Sequence, residues 1–272
     1  MHLRDDSLLL SASDLIGHLN CRHLTGLDIE VARGTLPKPT FWDPLLQILW
    51  ERGTRHERGY MEHLKAQGFD VTVIDGVGVD DDAVAQTRTA MIEGHPMIVQ
   101  GAFRLNGWVG RTDILRRIDT PSNLGAWSYE VIDTKLARET KGGTVLQLCL
   151  YAELVASVQG LTPAYSYVVA PWSDYEPQIF RMDDYAAYYR RVRDGLARAI
   201  DEHGDSEIHP DPKAHCDIYH WQDRCDQRRR ADDHLSLVAG ISKVQIDELK
   251  RQGIETAANL AVMPRRQMTA RR

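Results

Sequence analysis

Three apolar runs of strand length, residues 97–105, 108–118 and 127–134, follow one another and are separated only by turn chemistry. Asn106-Gly107 divides the first two, a dipeptide that tolerates positive φ at both positions and so favours a tight antiparallel hairpin. The cluster Asp119 to Gly125 divides the second and third. A chain that commits three consecutive strands to one sheet must cover both faces of it, and the flanking segments carry helical periodicity suited to that task.

Those flanks read as follows. Ser11 or Ser13 caps a short helix from about Asp14 to Cys21, and Gly34 to Pro44 is a loop. A helix over 44–67 carries Leu45, Leu46, Leu49, Tyr60, Met61 and Leu64 as an interrupted stripe. Phe69 to Val79 is a strand, the aspartates at 80–82 introduce a helix over 83–93, and Leu146 to Gln159 is a helix after the third strand. Ala164 to Ala170 is a buried strand, Phe180 begins an edge strand, and Met182 to His203 is a long helix. The expected class is α/β (α+β), a mixed central sheet flanked by helices.

At 272 residues with 43% apolar types, a packed core needs no disulfide support. No run of about 18 apolar residues occurs, so no membrane span is expected, and a cytoplasmic location is the default. The formal charge of −6 excludes a wholly basic nucleic-acid coat.

The chemistry gathers on the three-strand block. Asp133 and Lys135 are two residues apart, so on a continuing strand both project to one face, and Asp113 on the preceding strand can lie across from Asp133. Adjacent carboxylates repel, and a hard divalent cation such as Mg²⁺ or Mn²⁺ relieves that repulsion while activating water for phosphodiester hydrolysis. Lys135 can stabilise developing negative charge. Gln147 and Tyr151 lie four apart on the following helix and share a face. Glu57 falls in phase with the stripe of the 44–67 helix and is the better third carboxylate, with His56 a neighbouring contact. Lys141-Gly142-Gly143-Thr144 lacks the spacing of a phosphate-cradling loop.

In this order the motifs resemble the RecB-like branch of the PD-(D/E)XK nuclease superfamily, over residues 11–230. Asp113 matches its lone aspartate, Asp133-Thr134-Lys135 its acidic and lysine element, and Gln147 to Tyr151 its helical signature. The resemblance implies a restriction-endonuclease-like core and a metal centre of Asp113, Asp133 and either His56 or Glu57. Catalysis by Asp113, Asp133, Lys135, Gln147 and Tyr151 follows from it. It further implies action on single-stranded or branched DNA ends in repair, recombination or defence, often with a helicase as partner. Many relatives hold an iron-sulfur cluster. Here Cys21, Cys216 and Cys225 match three of its four cysteines and Tyr219 stands at the fourth, so iron-sulfur, zinc or no metal are alternatives.

Residues 231–272 resemble a helix-hairpin-helix tail, with Gly240 and Gly253 allowing close approach to phosphate, and could lead into a further C-terminal region. The nuclease domain is accordingly expected over 1–230. Arg111, Arg228 and Arg229 are candidate DNA contacts, with further arginines at the terminus. A non-catalytic DNA-binding or assembly module of a helicase complex is the competing function.

Overall fold

The computed structural model describes residues 1–39, 44–204, 208–213, 216 and 220–263. Of these, residues 1–38 and 44–204 form one compact unit, and Pro39 with residues 208–213, 216 and 220–263 form another. The division falls earlier than the boundary at 230 expected from sequence. The arginine-rich helix near 225 therefore groups with the tail.

The first unit is a mixed α/β architecture. A two-stranded ribbon, β1 (His2–Arg4) and β2 (Ser7–Leu9), precedes α1 (Ala12–Asn20), α2 (Arg22–Ala32) and α3 (Pro44–Ala66). Then come β3 (Val71–Val73), α4 (Asp81–Glu93), β4 (Met97–Leu105), β5 (Trp108–Ile118), β6 (Ser128–Thr134), α5 (Gly142–Gln159), β7 (Tyr165–Val169), β8 (Gln178–Arg181) and α6 (Asp183–Asp201). Strands β3 to β8 form one six-stranded sheet in sequence order. The two pairs bridged by a helix, β3 with β4 and β6 with β7, are parallel, and the rest are antiparallel, as connection length requires.

The expected hairpin forms at Asn106-Gly107, both with positive φ (47° and 80°). The strand expected over 69–79 is only three residues long, because Asp75 and Gly76 follow and Gly76 takes φ 93°. Asp80 caps α4 by accepting from the Ala83 N–H at 2.8 Å.

Side-chain alternation sorts the core onto the two faces of the sheet. Met97, Val99, Ile114, Ile132, Tyr167 and Val169 pack with Tyr60 and Leu64 of α3. Their neighbours Ile98, Leu115, Val131 and Val168 face the larger cluster built around α5. Helix α5 is buried nearly all round, including Leu146, Leu148, Leu150 and Leu154. It lies between the sheet and the pair α1 and α6, which explains why it has no polar face.

The second unit holds α7 (Gln222–Ala231), a 3-10 turn (Leu235–Leu237), α8 (Lys243–Arg251) and α9 (Ala257–Ala261). Ser242 and Gln245 form a reciprocal capping box on α8, and Thr256 caps α9. Gly240 and Gly253 take positive φ (74° and 79°) in the turns before and after α8. Among the described residues no helix is long and apolar enough to cross a membrane.

Candidate active site

The β5–β6 register sets Ile114 opposite Ile132, so Asp113 and Asp133 occupy the next step, at the end of the ladder. Here the strands exchange side-chain bonds. Asp113 Oδ2 accepts from the Thr134 N–H at 2.7 Å and from its hydroxyl at 2.8 Å. The backbone of Lys135 continues the pairing by donating to Val169 O at 3.0 Å. Its side chain therefore returns to the face of Asp133, and Lys135 Nζ lies 2.6 Å from Asp133 Oδ2.

Asp133 is fully buried. Gln147 donates to its Oδ1 at 3.2 Å, and also lies 3.0 Å from the Tyr151 hydroxyl. The Lys135 ammonium is the ion-pair partner of Oδ2. Burial, and then the Asp113 carboxylate, push Asp133 up to about 7, with Lys135 opposing the rise. Burial also raises Tyr151, with the two aspartates adding to it.

Glu57 joins the group from α3. Its pKa is raised by burial and by Asp113, and lowered by a hydrogen bond from Gln100 and by the charges of Lys135 and Arg111. Gln100 is a residue that sequence reasoning missed. It stands in β4 with φ 59°, in the left-handed region that costs a non-glycine residue about 1 kcal/mol or more. Its amide donates to Glu57 Oε1 and accepts from Arg111 Nε at 2.8 Å. A strand pattern gives no sign of such a reversal.

Two expected contacts are arranged differently. His56 Nε2 bonds to the Val169 carbonyl at 3.0 Å, and the ring stacks on Tyr175, so this histidine joins helix to sheet. Arg111 is engaged by Gln100, by Gly78 O at 2.6 Å and by Ile74 O at 2.9 Å, which makes it a brace and not a free phosphate contact. A groove is lined by Leu49, Arg52, Leu136, Arg138, Glu139, Pro171 and Trp172, Leu136 being next in the chain to Lys135. Trp172 is half exposed, whereas Tyr189 is buried and donates to Glu153.

In the second unit Arg229 is buried and donates to Pro210 O at 3.0 Å, because α7 turns it inward; it is not a surface DNA contact. Arg228 pairs with Asp232 at 2.6 Å. The cysteine expectation is also revised. Among the described residues, the one set of three ligand atoms lying within 4.8 Å of one another is His209, Asp211 and His234, with no cysteine in it. Cys21 lies in the first unit, the Cys216 sulfur accepts from the Lys213 N–H at 3.2 Å, and Cys149 is a core thiol that burial raises to about 11. The carboxylates of Glu57, Asp113 and Asp133 are electrostatically coupled but more widely spaced than that histidine set. His215, Tyr219 and the terminal arginines at 265, 266, 271 and 272 lie outside the described residues.

No family model and no curated protein matches the chain. Eleven chains of solved structures do. One of them, described as "Crystal structure of SSO0001", is 14% identical over 84% of this chain and 89% of that chain, with a TM-score of 0.37. A likeness so distant carries no argument about function.

Proposed function

We propose that the chain is a metal-dependent DNA nuclease of the RecB-like PD-(D/E)XK type, with β3 to β8 and their helices as a restriction-endonuclease-like core. The observation that carries the reading is the convergence of Asp113, Asp133, Lys135 and Glu57 at one end of β5 and β6, with Gln147 on α5 reaching Asp133. The donor set fits Mg²⁺ or Mn²⁺: all the ligands are hard oxygens, and the buried Asp133 Oδ2 is held by a cationic group, the Lys135 ammonium, that an ion could replace. Asp113, Asp133 and Glu57 would hold the ion, which supplies charge neutralisation at the phosphate and a more acidic water.

The protein groups divide the remaining work. Lys135, about one-third exposed while Asp133 is closed to solvent, is the group able to leave its carboxylate for a phosphate oxygen. Gln147 fixes the Asp133 carboxylate and Gln100 fixes that of Glu57, so neither has to reorient when the substrate enters. Arg52, Arg138 and Trp172 in a groove next to Leu136 offer charge to the backbone of a single strand and a face to a base, with Glu139 the one acidic residue in its lining.

Labelled single-stranded, duplex and flapped DNA incubated with Mg²⁺ or Mn²⁺ tests the reading, comparing the chain with Asp133→Asn and Lys135→Ala. Cleavage confined to the unsubstituted chain is expected. Equal product from all three overturns the assignment. Among the described residues Glu57, Asp113 and Asp133 do not form a ligand set within 4.8 Å, which favours a second reading, a DNA-binding module without catalysis that predicts binding but no product with either ion.

A further inference from the structure

We propose that His209, Asp211 and His234 form a site for a divalent transition-metal ion of the zinc class, lying wholly within the second unit and independent of the nuclease reading. One ligand atom from each lies within 4.8 Å of the others. In a tetrahedral zinc site with bonds of about 2.0–2.1 Å, ligand atoms stand roughly 3.3 Å apart, so the His209 Nδ1–Asp211 Oδ1 pair, now at 3.9 Å, closes by about 0.6 Å and no pair in the set by more than about 1.5 Å. Two imidazole nitrogens select zinc, cobalt or nickel over magnesium.

The hydrogen bonds around the histidines leave lone pairs available for such an ion. His209 Nε2 bonds to Asp232 Oδ2 at 3.2 Å, which places the ring proton on Nε2. Nδ1 is then a bare acceptor. It is closed to solvent, has no hydrogen-bond partner, and lies 3.9 Å from Asp211 Oδ1, too far for a bond. A carboxylate behind an inward-turned imidazole is the usual support of a metal-binding histidine.

His234 stacks on His209 with ring centroids 4.0 Å apart. If its Nδ1 accepts from the Ser236 N–H at 3.2 Å, the proton sits on Nε2 and points at the Lys250 ammonium 3.0 Å away, donor against donor. The other tautomer donates from Nδ1 to Ser236 Oγ at 2.9 Å and leaves Nε2 to a cation. Two ammonium groups now fill that role, Lys250 at His234 and Lys243 at Asp211. Both lysines are exposed and can withdraw into water. An ion at this site would join residues 209–211 to His234 across α7.

The 272-residue chain, stripped of metal, is titrated with Co²⁺ and then with Zn²⁺. We expect one Co²⁺ per chain to be held in the Asp113→Asn/Asp133→Asn background, with visible absorption and no thiolate charge-transfer band, and to be displaced by Zn²⁺. This binding persists in a Cys216→Ser/Cys225→Ser variant. Asp232→Asn weakens it about 10- to 100-fold by releasing the support of His209, and Lys250→Met tightens it about tenfold by removing a competing cation, equivalent to about 1.4 kcal/mol. His234→Ala abolishes it. Should that variant not fold, the Asp232 and Lys250 substitutions decide. Absence of Co²⁺ and Zn²⁺ binding, or affinities indifferent to both of those substitutions, overturns the proposal.

Discussion

Replacing Asp133 by asparagine tests the electrostatics of the buried carboxylate directly. Its pKa rises from an ordinary 3.8 to about 7 in the fold. Between those values the folded chain holds one proton more than the unfolded chain. Stability is therefore lost as pH rises through that window, by up to about 1.4 kcal/mol per pH unit, and levels off above it. A rise of roughly three units corresponds to about 4 kcal/mol, and relaxation around a buried charge brings the expected effect to about 2–4 kcal/mol. The asparagine variant has no such charge to bury. In EDTA, urea unfolding followed by circular dichroism at intervals from pH 4 to pH 8 should show the stability of Asp133→Asn gaining steadily on the unsubstituted chain. Added Mg²⁺ should flatten the slope of the unsubstituted chain and leave that of the variant unchanged. Parallel stability curves in EDTA would refute the claim that burial and Asp113 hold the carboxyl protonated near neutrality.

Lys135→Ala should lower cleavage of single-stranded DNA by about 10²- to 10³-fold, the usual cost of losing one preorganised charge donor, with DNA affinity measured alongside to separate binding from chemistry. Gly110→Ala should cost about 1–3 kcal/mol in urea unfolding, because a Cβ there would meet Leu154 Cδ1 at 2.6 Å and Tyr151 Cε1 at 2.9 Å. Arg229→Ala should destabilise the second unit by about 1–3 kcal/mol through the unpaired Pro210 carbonyl, read as faster hydrogen exchange in α7, while single-strand affinity stays unchanged.

The strand block was legible because its signals are local. Asn106-Gly107 fixes a hairpin by backbone preference alone, and the two-residue spacing of Asp133 and Lys135 fixes their common face, seen as the 2.6 Å ion pair. Glu57 was legible for a similar reason, since helical phase sets it with Tyr60 and Leu64. What escaped is set by tertiary contact. Gln100 sits within a run of apolar residues, and only Glu57 and Arg111, distant in sequence, account for its left-handed backbone. His209 and His234 are 25 positions apart with a helix between them, so spacing gave no hint of their stacking. Arg229 sits among charged residues and reads as surface, yet the turn of α7 directs it inward. Helix α2 went unread although Leu24, Leu27 and Val31 recur at helical spacing and Leu24, Leu27 and Ile29 are buried.

The bond from His56 to the Val169 carbonyl has a consequence for how this protein can vary. A helix displaced by one residue advances about 1.5 Å and rotates about 100°, enough to swing Glu57 out of reach of Asp113. The imidazole guards against such a slip by gripping main chain, a feature every residue shares. The side chain at 169 can therefore drift among core-compatible types without disturbing the alignment, whereas exchange of the histidine would loosen the acidic cluster without removing any of its carboxylates.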